Sequence, residues 1–327
     1  MTTQWDTDEL HGRILRELRE NARASYSGIA SRLGTTRRIV TQTVQDALDS
    51  GELRITTSIS PDLLGLERFA YLQLNTDGTM GPVRDALIEM TETTFVADIS
   101  GAYAIDAEIR VGPDPHLRET VDRVRSLPGV RSLTMHVYES IDINLYSPIR
   151  TGSTRFLVDE ADHAIVQHLQ RDGRASFRTL GEAAGISPSG ARLRFERLTA
   201  HDAVKVVGIP SRRNKTDFPS LGVGLQARQS LQSALALVRR LQPEFLAITN
   251  GHYDMIATLS AESYEGLIEV TDRLRASDEI ESIETWSNLR IIKEQYGEGD
   301  RIQSTRRRVR RGDRGDSSTS APEPTQG

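Results

Sequence analysis

The chain repeats itself at a fixed spacing, and this constrains its fold more than any other feature. Arg23-Ala24-Ser25-Tyr26 returns as Arg174-Ala175-Ser176-Phe177, 151 positions later. The register holds through Ile14/Ile165, Leu18/Leu169, Gly34/Gly185, Val40/Ala191 and Val44/Phe195. Phe95-Val96-Ala97-Asp98-Ile99-Ser100-Gly101-Ala102-Tyr103 then returns as Phe245-Leu246-Ala247-Ile248-Thr249-Asn250-Gly251-His252-Tyr253, 150 positions later. An offset held over about 120 residues predicts a duplicated unit of roughly 150 residues, too long for a solenoid repeat and the size of a domain pair.

The first part of each unit has helical periodicity. Leu10, Ile14, Leu15 and Leu18 share one face. Ser25 is placed to cap a short second helix that ends at Gly34, and Thr36 to cap a third with Val40, Val44 and Ala47 inward. The second copy follows suit: helix one over 162–169, a Ser176 cap, Gly185, and Ser187-Pro188 opening helix three, with Ala191, Phe195 and Leu198 buried. Three short helices with a Gly turn before the third predict a helix-turn-helix; a plain three-helix bundle is the alternative. The outer face of helix three favours the former. Thr36, Arg37, Arg38, Thr41, Gln42 and Gln45 are the DNA-binding candidates of the first copy, and Ser187, Ser189, Arg192, Arg194 and Arg197 those of the second. Arg forks onto guanine, Gln onto adenine, and Ser or Thr onto either. A short strand or extended linker, 53–55 or 204–207, leads out of each bundle.

The second part of each unit alternates strand and helix signals. Strands are expected at 69–74, 95–100, 103–111 and 130–138, with helices from Pro82 and Pro115; the second copy has strands at 221–227, 245–250, 253–260 and 280–289. The order βαββαβ predicts a ferredoxin-like fold, with helices on one face of a four-stranded sheet. The other sheet face must be covered, and two copies packed face to face would do this, within one chain or between chains. The expected fold is therefore α+β: winged/helix-turn-helix domains at 1–60 and 151–210, ferredoxin-like domains at 61–150 and 211–296, and a disordered basic and polar tail at 297–327.

The net charge of −5 is unevenly spread. Residues 8–60 carry +1, 159–215 carry +3 and 301–311 carry +6, leaving −15 for the remainder. Acidic charge thus sits outside the candidate DNA-binding segments, where it favours solubility. The chain has no cysteine, which removes disulfides and thiolate chemistry. Its seven histidines lack ligand spacing with a nearby acid, so no metal site is expected. No stretch approaches roughly 18 uncharged apolar residues, and residues 1–8 are polar; neither a secretory signal nor a spanning helix is expected, and the expected compartment is the cytoplasm. The run Arg306-Arg307-Arg308-Val309-Arg310-Arg311 offers either non-specific DNA attraction or a merely solvated tail.

The string Asp-x-x-x-Ile-Leu/Val-x-x-Leu, then Arg-Ala-Ser, Gly-Ile-Ser-Pro-Ser and Gly-x-Tyr-Asp, resembles the Lrp/AsnC ("feast/famine") transcriptional regulators in tandemly duplicated form, over about residues 8–292. The second copy keeps the pattern better, with Asp162, Gly185-Ile186-Ser187-Pro188-Ser189 and Gly251-His252-Tyr253-Asp254. The first has His11, Thr35-Thr36-Arg37-Arg38 and Ala104 at the matching places. The resemblance implies double-stranded DNA as partner, RAM-type sheet domains that self-associate into dimers or tetramers, no cofactor, no enzymatic activity, and an amino acid or related effector beside the Gly-x-Tyr-Asp turn. Candidate effector-binding residues are then Ser100, Gly101 and Tyr103 in the first copy, and Thr249, Asn250, Gly251, His252, Tyr253 and Asp254 in the second. Asp254 is expected to receive an ammonium group. Two rivals remain: a siroheme-decarboxylase-like enzyme on the same fold, and an architectural DNA binder without effector.

Overall fold

The computed structural model describes residues 7–147, 157–210, 219–261 and 263–295; the tail and its basic run lie outside the described residues. The first half runs α1 (Thr7–Glu20), α2 (Tyr26–Leu33), α3 (Arg37–Asp49), β1 (Leu53–Ile59), a 3-10 turn at Pro61–Leu64, β2 (Arg68–Thr76), α4 (Gly81–Glu89), β3 (Thr93–Ile99), β4 (Ile105–Val111), α5 (Asp114–Arg125) and β5 (Val130–Asn144). The second runs α6 (Glu160–Arg171), α7 (Phe177–Ala184), α8 (Pro188–Ala200), β6 (Val204–Pro210), β7 (Ser220–Ala227), α9 (Leu231–Arg240), β8 (Phe245–Asn250), β9 (Met255–Ser260), α10 (Tyr264–Arg275) and β10 (Ile280–Glu294). Helix-turn-helix heads thus alternate with ferredoxin-like units, as the sequence predicts.

Local chemistry sets the head helices. Ser25 accepts the Gly28 N–H, Thr36 that of Ile39, Ser176 that of Thr179 and Ser187 that of Gly190. Gly34 (φ 65°) and Gly185 (φ 67°) close α2 and α7 in the left-handed conformation that a side chain resists. Ile14, Leu18, Ile29, Val40 and Val44 form the core of the first head, and Ile165, Leu169, Leu180, Ala191 and Leu198 that of the second.

The strands leading out of the heads do not run separately. β1 and β6 pair antiparallel with each other, Leu53 opposite Pro210 and Ile59 opposite Val204. Val206 of the second half packs in the first head's core, and Ile59 of the first half in the second's. The repeated arginines complete the exchange. Arg23 donates to the carbonyls of Gly173 (2.8 Å) and Ala175 (3.2 Å), and Arg174 to those of Ala22 and Ala24 (3.2 Å). The Arg23 guanidinium lies over the rings of Phe195 (4.9 Å) and Phe177 (5.3 Å), and Arg174 over Tyr26 (4.4 Å). The two heads therefore share one framework.

The sheets also join within the chain, closing an eight-stranded barrel in the order β10-β3-β4-β2-β5-β8-β9-β7. β5 pairs with β2 through residues 130–137 and then with β8 through 137–144. β10 does the same between β7 and β3. The sequence expectation ended these strands at 138 and 289; the residues beyond pair with strands of the other half. Alternation along β2 and β4 turns Leu72, Leu74, Ile105, Ala107 and Ile109 toward the helices. Tyr71, Gln73, Asp106, Glu108 and Arg110 then face the barrel interior, and all five are buried. Opposite them the second half has glycine: a Cβ on Gly222 would strike the Trp286 indole, and one on Gly224 would lie 2.5 Å from the Tyr253 ring.

Candidate nucleic-acid interface and effector turns

The third helix of each head presents an exposed face, and the two faces differ. On α3, Thr36, Arg37, Arg38, Thr41, Gln42 and Gln45 are all exposed. Thr36 is engaged as the helix cap, and the Thr41 hydroxyl donates to the Arg37 carbonyl (2.8 Å). Gln42 donates to Asp46 (2.7 Å) and Gln45 to Asp49 (2.9 Å), pairs one helical turn apart on the surface. Arg37 and Arg38 make no ion pair among the described residues. They stand at the N-terminal turn of the helix, where backbone N–H groups add positive potential.

On α8 the three arginines expected to face outward are all engaged within the head, and one of them is half-buried. Arg194 is half-buried and donates to both oxygens of Asp159 (2.8 and 2.7 Å) and to Asp162 (2.9 Å). Arg197 pairs with the other Asp162 oxygen. Asp162 is fully buried and forms a reciprocal capping box with Asp159 at the start of α6. These two guanidiniums tie the recognition helix to the first helix of its head, because a buried carboxylate without a cation is costly. Arg194 and the α6 cap together hold the Asp159 carboxyl below its usual range, against the opposing effect of its partial burial. Arg192 stays exposed, bridged to Glu196 at 2.8 Å. Ser187 caps the helix and its hydroxyl meets that of Ser189 at 3.1 Å. Sequence reasoning passed over two apolar side chains on these faces: Ile39, 43% exposed, and Leu193, 67% exposed.

The effector candidates fall at two turns, each laid against the other half's long strand. In the first turn the Ser100 hydroxyl accepts the Ser287 N–H (3.1 Å), Gly101 (φ 111°) lies against Trp286, and the Tyr103 hydroxyl meets that of Thr134 (3.0 Å). In the second, buried Thr249 donates to the Tyr253 carbonyl (2.7 Å), and Gly251 (φ 152°) lies beside His136. The Tyr253 hydroxyl donates to Glu284 (2.7 Å), which His252 also meets at 3.0 Å. These contacts hold the Glu284 carboxyl below its ordinary range, Tyr253 contributing most. One oxygen of Asp254 accepts the Ala227 N–H at 2.8 Å, tying the turn to the end of β7. Asn250, Gly251 and His252 are exposed, and Glu284 is the half-exposed acid beside them. Glu284 escaped the sequence reading because it lies on β10, about 30 residues from the motif, and the pairing of β10 with β7 and of β7 with β9 brings it there.

Two of the buried titratable groups in the barrel interior, Asp106 and His136, are shifted far from their ordinary ranges. Asp106 accepts the Tyr71 hydroxyl bond and sits near Gln73 and Trp286; burial pushes its carboxyl up to about 7. His136 is buried with no hydrogen-bond partner and stacks on Tyr253 at 4.8 Å; burial first, then the nearby His252, lowers it to about 4.

Comparison with known proteins agrees with the architecture. The AsnC-type helix-turn-helix domain matches residues 158–199, and a winged helix-turn-helix DNA-binding domain matches residues 7–51. The HTH-type transcriptional regulator Rv2324 of Mycobacterium tuberculosis is 31% identical over 128 residues, 38% of this chain and 84% of the relative. The regulatory protein AsnC of Escherichia coli is 25% identical over 135 residues, 40% of this chain and 89% of the relative. Over the whole length, the crystal structure of the siroheme decarboxylase NirDL has the same fold, with a TM-score of 0.56 and 13% identity, covering 89% of this chain and 96% of that one. No described helix is long and apolar enough to cross a membrane. Two head-domain matches and a relative aligned over most of its length lead to one conclusion: this chain belongs to the Lrp/AsnC family of helix-turn-helix transcriptional regulators.

Proposed function

We propose that the chain regulates transcription from the cytoplasm by binding double-stranded DNA with both heads at once, and that it prefers an asymmetric pair of half-sites. The carrying observation is that two capped recognition helices with unlike outer faces are held in one framework by the β1–β6 ribbon. Identical heads favour a palindrome; unlike heads do not. Selection of duplexes from a random pool, followed by footprinting, is expected to give two dissimilar half-sites at a constant separation. Strictly palindromic sites would contradict the proposal. Arg37 and Arg38 supply phosphate contacts, so the Arg37→Ala/Arg38→Ala double variant is expected to weaken binding across sequences and reduce the salt slope by about 2. An unchanged slope would remove these residues from the interface.

The chain also responds to an amino acid or a similar small molecule, with no cofactor. The second-copy turn is the better site, since its exposed backbone and His252 lie beside the half-exposed Glu284, whose carboxylate can exchange its His252 contact for an ammonium group. In titrations with the twenty amino acids, Glu284→Gln is expected to weaken binding about tenfold. Equal affinity in that variant, or loss only in Asp254→Ala, would move the site elsewhere. Both sheet faces are enclosed in the barrel, so association of chains through these domains falls to their helical outer surfaces. The fold shared with NirDL carries no activity to this chain. Incubation with siroheme is expected to cause no loss of carboxylate mass, and decarboxylation would establish the enzymatic reading instead.

A further inference from the structure

We propose that Leu193 reads a base: its side chain packs on the C5 methyl group of a thymine in the major groove and so fixes thymine at one position of the second head's half-site. The inference rests on the DNA-binding reading above and adds to it the base preference of one head.

Leu193 is not needed by its own domain. The inward stripe of α8 is Ala191 and Leu198, with Phe195 packed edge-on against Phe177 at 5.7 Å. Leu193 lies about 200° around the helix from Ala191 and is 67% exposed. It is the sixth residue of α8, one helical turn beyond Ser189 and next to exposed Arg192, on the face offered to DNA. The cations of this face are engaged within the head, since Arg194 and Arg197 pair with Asp159 and Asp162, although Arg197 stays at the surface. Beside these paired guanidiniums the groove side offers the Ser189 hydroxyl, the bridged Arg192 and one isobutyl group. In the major groove an isobutyl group finds one complementary partner, the thymine methyl.

The first head is built otherwise. Gln42 occupies the position matching Leu193, and the exposed apolar group of α3 is Ile39, three residues nearer the helix start. The two heads thus place their apolar contact at different depths along the recognition helix.

The test uses the full chain and a duplex it selects from a random pool. Each thymine is replaced in turn by deoxyuridine, which removes only the methyl group. Wild-type protein is expected to lose about fourfold in affinity at one thymine, the effect of exposing one methyl group. Leu193→Ala, an exposed helical position where alanine is well tolerated, is expected to bind the parent duplex about as weakly as wild type binds the substituted one. It should also show no further loss on that substitution. Gln42→Leu is expected to create a new sensitive thymine in the other half-site. Identical deoxyuridine maps for wild type and Leu193→Ala, or no sensitive thymine at all, would overturn the inference while leaving DNA binding intact. Failure to select any duplex would overturn the DNA-binding reading, and this inference with it.

Discussion

Asp106→Asn is expected to stabilise the barrel at pH 8 by up to about 4 kcal/mol, and to leave stability at pH 4 almost unchanged. Asp106 is fully buried in the barrel, where Tyr71 donates to it and Trp286 reaches it from the other half. Burial raises its carboxyl to about 7 in the native state, against an ordinary value of 3.8. Between these values the folded protein holds a proton that the unfolded chain has released. Stability from this group is therefore fully present below pH 3.8 and lost as pH rises to about 7. Asparagine keeps the shape and an acceptor for Tyr71 but has no charge to bury. His136 has the opposite slope. Its native value of about 4 lies below the ordinary 6.5, so its contribution is present above pH 6.5 and lost on acidification toward 4. In the wild type the two slopes offset one another over that range. Urea midpoints measured from pH 4 to 8 should give a difference curve, variant minus wild type, that climbs to about pH 7 and then levels. A flat difference curve would mean that Asp106 ionises as readily in the native barrel as in the unfolded chain, so that burial does not raise its carboxyl.

The second large effect is steric. Gly222→Ala is expected to cost about 3 kcal/mol and to loosen barrel closure. The added methyl would enter the indole of Trp286, which is buried between Tyr71 (centroids 6.1 Å apart) and Tyr253 (6.2 Å). Gly101 runs beside the Trp286 side chain: a Cβ built on it would lie 3.6 Å from the Trp286 Cβ. The indole would have to shift into the small cavity it shares with Gly222, Tyr138 and Phe245, giving up its contacts with the two tyrosines. Thermal unfolding together with the near-ultraviolet circular dichroism of the indole would report the change. Trp286→Phe should recover part of the loss when combined with Gly222→Ala, giving a measurable coupling energy. Equal stability of wild type and Gly222→Ala would show that the strands separate more easily than this packing implies.

The heads were legible because their determinants are local. A serine or threonine cap, a glycine at left-handed φ and an apolar stripe act within a few residues, and Ser25, Gly34, Thr36, Ser176, Gly185 and Ser187 sit where those rules put them. The order of elements and the repeat were equally readable. The destinations of long side chains were not. Arg23 and Arg174 advertised themselves as a repeat, yet their role is to clamp each other's turn. Arg194 and Arg197 looked like groove readers because they are cationic and lie on the right helix. A buried aspartate more than 30 residues away claims both.

The sequence alone determined the element order, the two unlike recognition helices and the class of partner they suit. Tertiary structure decided that the sheets close on each other within one chain, that Glu284 lies beside the second turn, and which arginines of the recognition helices are tied in ion pairs. The division follows from range. Caps and periodicity reach no further than a helical turn, whereas strand closure and ion pairing depend on which distant residue the fold delivers to within about 3 Å.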